Sequence, residues 1–222
     1  MLYIIATPIG NLDDITFRAV DTLKNVDVIF CEDTREALKL LNHLGIKKPL
    51  VSYYRENEKH RLKRAIKFLL EGKDIALICD RGTPGVSDPA YLLVREAYKN
   101  NIPVTAVPGP SALTAAMSVC GLPTDKIVFY GFLPRKKGKK RKIIEELRTR
   151  KETIIFYESV HRIKETLMFI KEIFNAEREM TVCRELTKKF EEIKTGTVSE
   201  VYEYYQNREM KGEFVIIIKG DD

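Results

Sequence analysis

The segment Ile75–Lys99, IALICDRGTPGVSDPAYLLVREAYK, contains the pattern that decides the fold. Its first five residues, Ile75–Cys79, are apolar throughout and end at a charged residue, which is typical of a fully buried strand. Ser87, Asp88 and Pro89 then provide a capping residue followed by proline, and apolar residues continue at helical spacing beyond them. A strand, a loop rich in Gly and Pro and a helix therefore follow one another, which is the unit from which α/β domains are built.

The same alternation extends over the chain and predicts two α/β domains with mostly parallel sheets. Amphipathic stripes, for example Leu62–Leu70 and Val160–Phe174, predict helices between the strands. Punctuation by PGPSA and GLPTD places the domain boundary near residue 115, giving domains of residues 1–115 and 116–222. The further strands are predicted at Leu2–Ala6, Val26–Cys31, Val104–Val107, Ile127–Tyr130, Ile154–Tyr157, Thr181–Cys183 and Phe214–Ile218.

Composition excludes several classes of protein. Of the 222 residues, 44% are hydrophobic, which is too many for a disordered chain. No apolar run reaches the roughly 18 residues that a membrane span needs. The opening MLYIIATPIG lacks the basic region and cleavage site of a signal peptide. We therefore expect a soluble, cytoplasmic protein that makes no contact with a membrane.

Cysteine and histidine lie in no pattern that would hold a metal. The four cysteines are 41 or more positions apart, and each lies in or beside an apolar run. We interpret them as buried thiols in a reducing cytosol, and we expect no metal. These residues are Cys31, Cys79, Cys120 and Cys183, together with His43, His60 and His161.

The net charge of +6 comes from one segment. Residues 135–151 contain ten basic and two acidic residues, a local charge of +8, so the rest of the chain is slightly acidic. Such a run is often a solvated helix face, but close packing of like charges is costly unless a polyanion offsets it. The sequence therefore favours contact with nucleic acid, with a solubilising role as the alternative.

Three predicted strands end in loops that combine Gly, Pro and small polar residues. The loops are Ala6–Asn11, Asp80–Pro89 and Val107–Ala112. In open α/β sheets, ligands bind beyond the carboxyl ends of the strands, and glycine lets the backbone approach them closely. The GxGxxG and GxxxxGK[ST] patterns are absent, which disfavours conventional dinucleotide and triphosphate sites. A tight turn explains any one loop, whereas three on neighbouring strands predict a single pocket.

Eight motifs in a fixed order carry a resemblance to a known family. The chain resembles the ribosomal small-subunit (16S) rRNA (cytidine-2′-O)-methyltransferases, which are tetrapyrrole-methylase-like enzymes that use S-adenosylmethionine. The resemblance extends from Leu2 to KGEFVIIIKG near the end of the sequence. Arg81 replaces a residue that is usually small in the family, and Ala90 replaces a usual glycine. The motifs are ATPIGNLDDIT, CEDTR, DRGTPGVSDP, PGPSA, GLPTD, GFLPRK, FYESVHR and RELTK.

The resemblance implies two α/β domains with a cofactor cleft between them, the tetrapyrrole methylase-like fold, in a homodimer. It also implies which positions contact S-adenosylmethionine, one set in each half of the chain. In the first half these are Thr7, Pro8, Ile9, Gly82, Thr83, Pro84, Val86, Ser111 and Ala112. In the second half they are Tyr157, Leu186, Gly212, Glu213 and Phe214, which rest on order along the chain more than on a sharp motif.

The implied reaction is methylation of a cytidine 2′-hydroxyl in the decoding region of 16S rRNA in the small ribosomal subunit. A ribose hydroxyl is a poor nucleophile, so a general base or a cation that stabilises the developing alkoxide should help. Our first candidates are Glu185 and Lys188, followed by Asp33 and Arg35, and a structural ion pair is the alternative for each of them. Glu158 and His161 are further polar candidates.

The basic run is the predicted RNA contact, because cations that directly follow GFLP at a strand end can hold phosphates without reading bases. The predicted residues are Arg135, Lys136, Lys137, Lys139, Lys140, Arg141 and Lys142. Two rival functions remain open at this point. One is a methylase of a small tetrapyrrole-like substrate, and the other is a non-catalytic RNA-binding factor that retains the fold.

Overall fold

The computed structural model describes residues 1–221, which divide into two compact units between Ser111 and Ala112. We refer to these units as the N-terminal and the C-terminal domain. The expected boundary, after residue 115, falls inside the first helix of the C-terminal domain. No helix within these 221 residues is long and apolar enough to cross a bilayer.

The N-terminal domain alternates strands and helices along its whole length. Its strands are β1 (Leu2–Ile5), β2 (Val28–Cys31), β3 (Leu50–Ser52), β4 (Ile75–Ile78) and β5 (Val104–Val107). Its helices are α1 (Phe17–Asn25), α2 (Thr34–His43), α3 (Glu58–Leu70) and α4 (Tyr91–Lys99), with a short 3₁₀ helix at Leu12–Asp14.

The five strands of the N-terminal domain form one parallel sheet in the order β3-β2-β4-β1-β5. Apolar residues cover both faces of this sheet, as parallel sheets require. Along β1, Leu2 packs into one hydrophobic cluster and Ile5 into another on the opposite face. All five carboxyl ends lie at the same edge, which positions the loops discussed below.

The C-terminal domain begins with a helix and contains a second five-stranded sheet. Its strands are β6 (Ile127–Phe132), β7 (Thr153–Ser159), β8 (Glu179–Arg184), β9 (Glu192–Thr197) and β10 (Glu213–Ile218). Its helices are α5 (Ala112–Val119), α6 (Lys137–Leu147), α7 (Ile163–Ile173) and α8 (Val198–Gln206).

The second sheet corrects the expectation of mostly parallel sheets. Its order is β6-β7-β10-β8-β9, and only β6 and β7 pair in parallel. The other three pairings are antiparallel. A parallel pairing needs a long crossover, usually a helix, and the short segment between β8 and β9 contains none. The apolar pattern of a strand does not reveal the direction of its neighbour.

Two strands and one helix cap differ from the sequence-based predictions. The strand β3 has only three residues, and the edge strand β9 is polar and largely half-exposed, so neither forms an apolar run. Ser87 does not cap α4, because the helix begins at Tyr91 after Ala90, and the backbone of Ser87 is left-handed with φ 73°. The segment from Ser87 to Pro89 therefore belongs to the loop.

Candidate functional site

Four motif-bearing loops lie at the carboxyl edge of the N-terminal sheet. CEDTR spans the end of β2 and the start of α2, DRGTPGVSDP follows β4, ATPIGN continues from β1, and PGPSA follows β5. Because β2, β4, β1 and β5 are consecutive neighbours in the sheet, the four loops lie side by side. The predicted pocket-forming loops are thus brought together by the strand order.

Hydrogen bonds join three of these loops. The backbone N–H of Thr7 donates to Gly82 O at 2.9 Å, and Gly82 N–H donates back to Thr7 O at 3.0 Å. The hydroxyl of Thr7 donates to Cys79 O at 3.1 Å, and that of Thr83 donates to Pro110 O at 3.0 Å. The loops after β1, β4 and β5 therefore form one connected structure.

Glycine allows the loops to approach so closely. Gly82 has φ +83°, and a Cβ there would lie 3.3 Å from Ile9 Cγ2. A Cβ on Gly109 would lie 3.2 Å from Ala6 Cβ. A side chain at either position would push its neighbour by a few tenths of an ångström, so the two glycines leave backbone rather than side chain at this edge.

The predicted cofactor positions of the first set all lie on these loops or at the start of α5. Thr7, Pro8, Ile9, Gly82 and Pro84 are buried in the loop structure. The others are half-buried: Thr83, Val86, Ser111 and Ala112.

Asp33 and Arg35 form a self-contained pair at the start of α2. Asp33 is the N-cap of the helix, and its carboxylate accepts the backbone N–H of Arg35 at 2.8 Å. The Arg35 guanidinium donates to the same carboxylate at 2.6 Å. These hydrogen bonds from Arg35 lower the pKa of Asp33 to about 2. A carboxylate stabilised in this way is a weak proton acceptor.

Glu32, the residue beside Asp33, has the opposite environment and was not among the candidates predicted from the sequence. Burial and the negative charges of Asp88 and Asp80 raise the pKa of Glu32 to about 7, although Asp80 N–H and the charge of Arg55 oppose the shift. Burial also raises the pKa of both Asp80 and Asp88. From the sequence, only the position of Glu32 within CEDTR, at a strand end, could have indicated that this residue is a candidate.

Glu32 lines an open cavity of about 460 Å³. Carboxylates and hydroxyls provide most of its walls. The lining residues are Glu32, Asp33, Thr34, Ser52, Tyr54, Glu56 and Asp80.

In the C-terminal domain, Glu185 and Lys188 form a second ionic cluster together with Glu213. Lys188 Nζ lies 2.8 Å from Glu185 Oε1 and 2.9 Å from Glu213 Oε2. Glu213 N–H also donates to Glu185 Oε1 at 3.0 Å. Glu185 and Thr187 both have positive φ, 52° and 64°, so the RELTK turn holds a conformation that is rare for residues with a side chain.

The second set of predicted cofactor positions lies close to this cluster within the C-terminal domain. Tyr157 on β7 pairs with Val215 of β10, beside the start of β10 at Glu213. The backbone of Gly212 packs directly against the side chain of Glu185. Leu186 is buried, and Phe214 is 2% exposed in the core, so Phe214 could offer a ligand only its backbone.

The basic run does not form one uniform surface, and Lys140 corrects the prediction. Lys140 is fully buried, with its ammonium 2.9 Å from Glu165 and 3.1 Å from the hydroxyl of Thr166. Its charge also lies 3.9 Å from the fully buried carboxylate of Glu158. Lys140 is therefore a core residue and cannot contact RNA, because helix α6 turns this position inward.

Glu158 is the centre of the same network, which corrects its status as a catalytic candidate. Its carboxylate accepts the Thr166 hydroxyl at 2.7 Å and pairs with Arg162 at 2.6 Å. Arg162 in turn donates to Leu133 O at 2.8 Å, immediately before the basic run. His161, by contrast, is exposed. Glu158 and Arg162 of the FYESVHR motif thus help to anchor α6 and the segment before it to the domain.

The remaining cations divide into paired and unpaired groups. Lys137 binds Glu165 at 2.7 Å, and Arg141 binds Glu172 at 2.5 Å. Lys142 is exposed and lies 3.9 Å from its helical neighbour Glu146. Within residues 1–221 no ion pair involves the three other cations, which are all exposed: Arg135, Lys136 and Lys139.

Comparison with known proteins shows the family and the fold of the chain. The sequence profile of the family described as Tetrapyrrole (Corrin/Porphyrin) Methylases matches residues 1–202. Two solved structures share the fold, at 17–18% identity. The uroporphyrin-III-C-methyltransferase of Thermus thermophilus has a TM-score of 0.63 and covers 97% of this chain and 93% of its own. A cobalt precorrin-4 methyltransferase has a TM-score of 0.69, with coverage of 98% and 94%.

Relatives with much higher identity carry one name, Ribosomal RNA small subunit methyltransferase I. That of Halalkalibacterium halodurans is 48% identical, over 99% of this chain and 76% of the relative. That of Thermotoga maritima is 44% identical, over 100% and 99% of the two chains. That of Bacillus subtilis is 45% identical, over 100% and 76%. The chain belongs to the tetrapyrrole methylase family and, more narrowly, to the family of these small-subunit rRNA methyltransferases.

Proposed function

We propose that this protein uses S-adenosylmethionine to methylate the 2′-hydroxyl of a cytidine in the decoding region of 16S rRNA. The observation that carries the proposal is the connected set of Gly- and Pro-rich loops at one sheet edge. It occurs in a chain 44–48% identical, over nearly its full length, to the named small-subunit rRNA methyltransferases. The proposed setting is the cytoplasm, where a homodimer would act on the small ribosomal subunit.

The loop structure of the N-terminal domain fits such a cofactor. Gly82 and Gly109 lie where a Cβ would crowd neighbouring loops, so the strand ends present main chain rather than side chains. Main-chain N–H and C=O groups suit a ligand that carries an adenosine and an amino-acid end. We assign one set of S-adenosylmethionine contacts to the loop segments that begin at Thr7, Gly82 and Ser111. We assign the contacts with its adenosine side to the RELTK turn and the start of β10.

S-adenosylmethionine would supply a methyl group on a positively charged sulfur, so the difficult chemistry belongs to the cofactor. The protein then has to hold the acceptor oxygen in line and to remove its proton. No group of three or more His, Cys, Asp or Glu side chains within residues 1–221 could hold a metal ion. The candidates for these tasks are the carboxylates and cations at the start of α2 and in the cluster of Glu185, Lys188 and Glu213.

Lys188 stays a candidate, with a more defined role. Because its ammonium is held by Glu185 and Glu213, its charge is largely balanced in the absence of substrate. We propose that its main role is to stabilise the RELTK turn, because its ammonium binds Glu185, one of the two left-handed residues of the turn.

RNA binding is assigned to the outer face of the basic run. Arg135, Lys136, Lys139 and Lys142 are exposed on or before α6 and can contact phosphates. Phe132, at the end of β6, is 54% exposed just ahead of them. An exposed aromatic ring beside a row of cations is typical of sites that bind single-stranded RNA, because bases stack on the ring.

The direct test is methylation of purified small ribosomal subunits with a radiolabelled cofactor, followed by mapping of the modified ribose. We expect one methyl group per subunit, on a cytidine 2′-oxygen in the decoding region, and a product that resists alkaline cleavage there. Labelling of a tetrapyrrole but not of RNA would favour the small-molecule methylase. Failure to bind the cofactor in calorimetry would favour the non-catalytic factor.

A further inference from the structure

The cavity beside Glu32 lies next to the proposed cofactor loops. It is formed by residues that follow β3, β2 and β4, for example Tyr54, Glu32 and Asp80. The proposed cofactor loops follow β4, β1 and β5. Since the sheet order is β3-β2-β4-β1-β5, the two sets occupy adjacent halves of the same edge and share the loop after β4. A ligand in the cavity would therefore lie beside the cofactor loops.

The size and chemistry of the cavity suit a nucleoside. Its volume of about 460 Å³ is in the range of small-molecule sites, roughly 300–1,000 Å³. Ser52, Thr34 and the carboxylates offer hydrogen-bonding groups, and Tyr54 is 38% exposed, so its ring is available for stacking. The carboxylates would repel a phosphate group, so we expect a ribose and base inside and the backbone phosphates outside.

Among the carboxylates of this cavity, the environments of Glu32 and Asp33 differ most. Asp33 is committed to the helix cap and to Arg35, which keeps the pKa of its carboxyl low. Glu32 is half-buried, no ion pair involves it within residues 1–221, and its pKa is raised to about 7. A base whose pKa is close to the working pH is both ionised and strong enough to accept a proton.

We infer that the cavity receives the target nucleoside and that Glu32 is the general base for its 2′-hydroxyl. This inference rests on the proposed function. In the step, the 2′-oxygen forms a bond to the methyl carbon while the carbon–sulfur bond of the donor breaks. The hydroxyl proton passes to a carboxylate oxygen of Glu32, and the positive charge on sulfur is neutralised. Solvent then takes the proton from Glu32 through the open side of the cavity.

The surroundings of Glu32 make its role testable through pH. Asp88 and Asp80 act on it with negative charge, and Arg55 acts with positive charge. Glu56 lines the same cavity, and the nearby Cys79 thiol has a raised pKa and remains neutral. Since Glu32 must be ionised to accept a proton, the rate of methyl transfer should fall as the pH drops below about 7.

The first experiment measures single-turnover methylation of small subunits from pH 5.5 to 9. Glu32→Gln should lower the rate constant by about 10²–10⁴-fold and abolish the acid limb of the profile, with cofactor affinity in calorimetry unchanged. Glu32→Asp should retain an intermediate rate. The matched control is Glu36→Gln on α2, an exposed residue paired with Lys39, which should behave as wild type. A Glu32→Gln variant with at least a tenth of the wild-type rate would overturn the inference.

The second experiment does not use Glu32→Gln and so covers the case in which that variant folds poorly. The Glu32 side-chain carbonyl carbon is followed by NMR in ¹³C-glutamate-labelled protein, and its resonance is identified by its loss in Glu32→Asp. It should titrate with a midpoint near 7 in wild type. In Asp88→Asn the midpoint and the acid limb of the rate should both move to lower pH, because a neighbouring negative charge is gone. An ordinary glutamate midpoint, or an acid limb that Asp88→Asn does not move, would reject Glu32 as the base.

The two proposals fail in different ways. If wild-type protein leaves the small subunit unmethylated, the proposed function itself is wrong. If wild type methylates the subunit with a flat profile down to pH 5.5, the function stands and Glu32 is not its base.

Discussion

Single residues at the strand ends act through backbone conformation as much as through side-chain chemistry. Gly82 and Gly72 have nearly identical φ angles, +83° and +82°. A Cβ on Gly72 would meet nothing within 4 Å, whereas one on Gly82 would meet Ile9 at 3.3 Å. The two glycines therefore separate the cost of a left-handed backbone from the cost of displacing the loop after β1.

We predict that Gly82→Ala weakens S-adenosylmethionine binding at least tenfold, because the added methyl group pushes Ile9 and its loop away from the strand ends. The left-handed backbone alone should cost about 1–2 kcal/mol of stability. Isothermal titration measures the affinity, and urea unfolding measures the stability. Gly72→Ala is the control, since it should lose similar stability and keep full affinity. Equal affinity in the two variants would contradict the assignment of this loop.

The loops that we assign to the cofactor could be located from the sequence because their residues are constrained locally. Gly82, Thr83 and Pro84 form a turn motif after a strand, and a turn can be predicted from residues that are adjacent in the sequence. The difference in pKa between Glu32 and Asp33 could not be predicted from the sequence. It depends on Asp88 and Asp80, which are far along the chain and come close only in the fold. The sequence therefore offered no reason to prefer Glu32 to Asp33 as a candidate base.

At the scale of elements, α6 has an inner face that holds it to the domain and an outer face that remains charged. We predict that neutralising the outer cations weakens RNA binding and lowers its dependence on salt. Each cation that no longer binds a phosphate should reduce the slope of log K against log salt by about 0.7–0.9. The slope for a 16S rRNA fragment, measured by filter binding, should fall by about three. The variant carries glutamine at Arg135, Lys136, Lys139 and Lys142.

A matched variant removes four positive charges from helices of the N-terminal domain. It carries glutamine at Lys24, Lys39, Lys67 and Lys99, which are exposed. Its net charge equals that of the first variant, so a general loss of positive charge would affect both slopes alike. The same slope in both variants would mean that the basic run is only a solubilising surface.

The inner face of α6 should be sensitive to the loss of a single charge. Lys140→Met removes the buried cation that lies between Glu158 and Glu165, and these carboxylates keep only Arg162 and Lys137 as ionic partners. Removing one partner of a buried ion pair costs about 3–5 kcal/mol, so we expect a loss of that size in the free energy of unfolding. Urea denaturation measures it. Lys139→Met, one residue away and exposed, should change stability by less than about 0.5 kcal/mol.

The elements themselves were predicted best where burial is complete. The strands β1, β2 and β4 lie in the interior of the parallel sheet and are largely buried, and all three were located from apolar runs. The edge strand β9, EIKTGT, was not predicted, because one side of it is solvated and it is defined by its pairing with β8. The pairing direction of the strands in the second sheet was also not predicted, because direction is a property of two strands and not of one.

On the scale of the whole molecule, the thiols are uniformly withdrawn from solvent. Cys31, Cys79, Cys120 and Cys183 are each 4% exposed or less. Burial raises the pKa of the Cys31 and Cys183 thiols to about 12 and that of Cys79 further still. A neutral, inaccessible thiol reacts slowly, because the thiolate is the nucleophile.

We therefore predict that Ellman's reagent modifies fewer than one thiol per native chain at pH 8 within minutes, and leaves methylation activity unchanged. In denaturant all four cysteines should react. The measurement is the absorbance of the released thiolate with and without guanidinium. Rapid loss of activity in the native protein would indicate that a cysteine lies in the site.

The inward position of Lys140 also limits how the basic run can change over evolutionary time. KKGKKRK is so repetitive that substitutions among its outer cations preserve its charge and its composition. A single inserted or deleted codon is different, because each residue rotates an α-helix by about 100°. Where the change falls between Lys140 and Ile144, the two residues would no longer share the inner face of α6 and could not both stay buried. The basic run should therefore keep its length although its sequence is repetitive. We expect it to evolve by substitution of residues rather than by insertion or deletion.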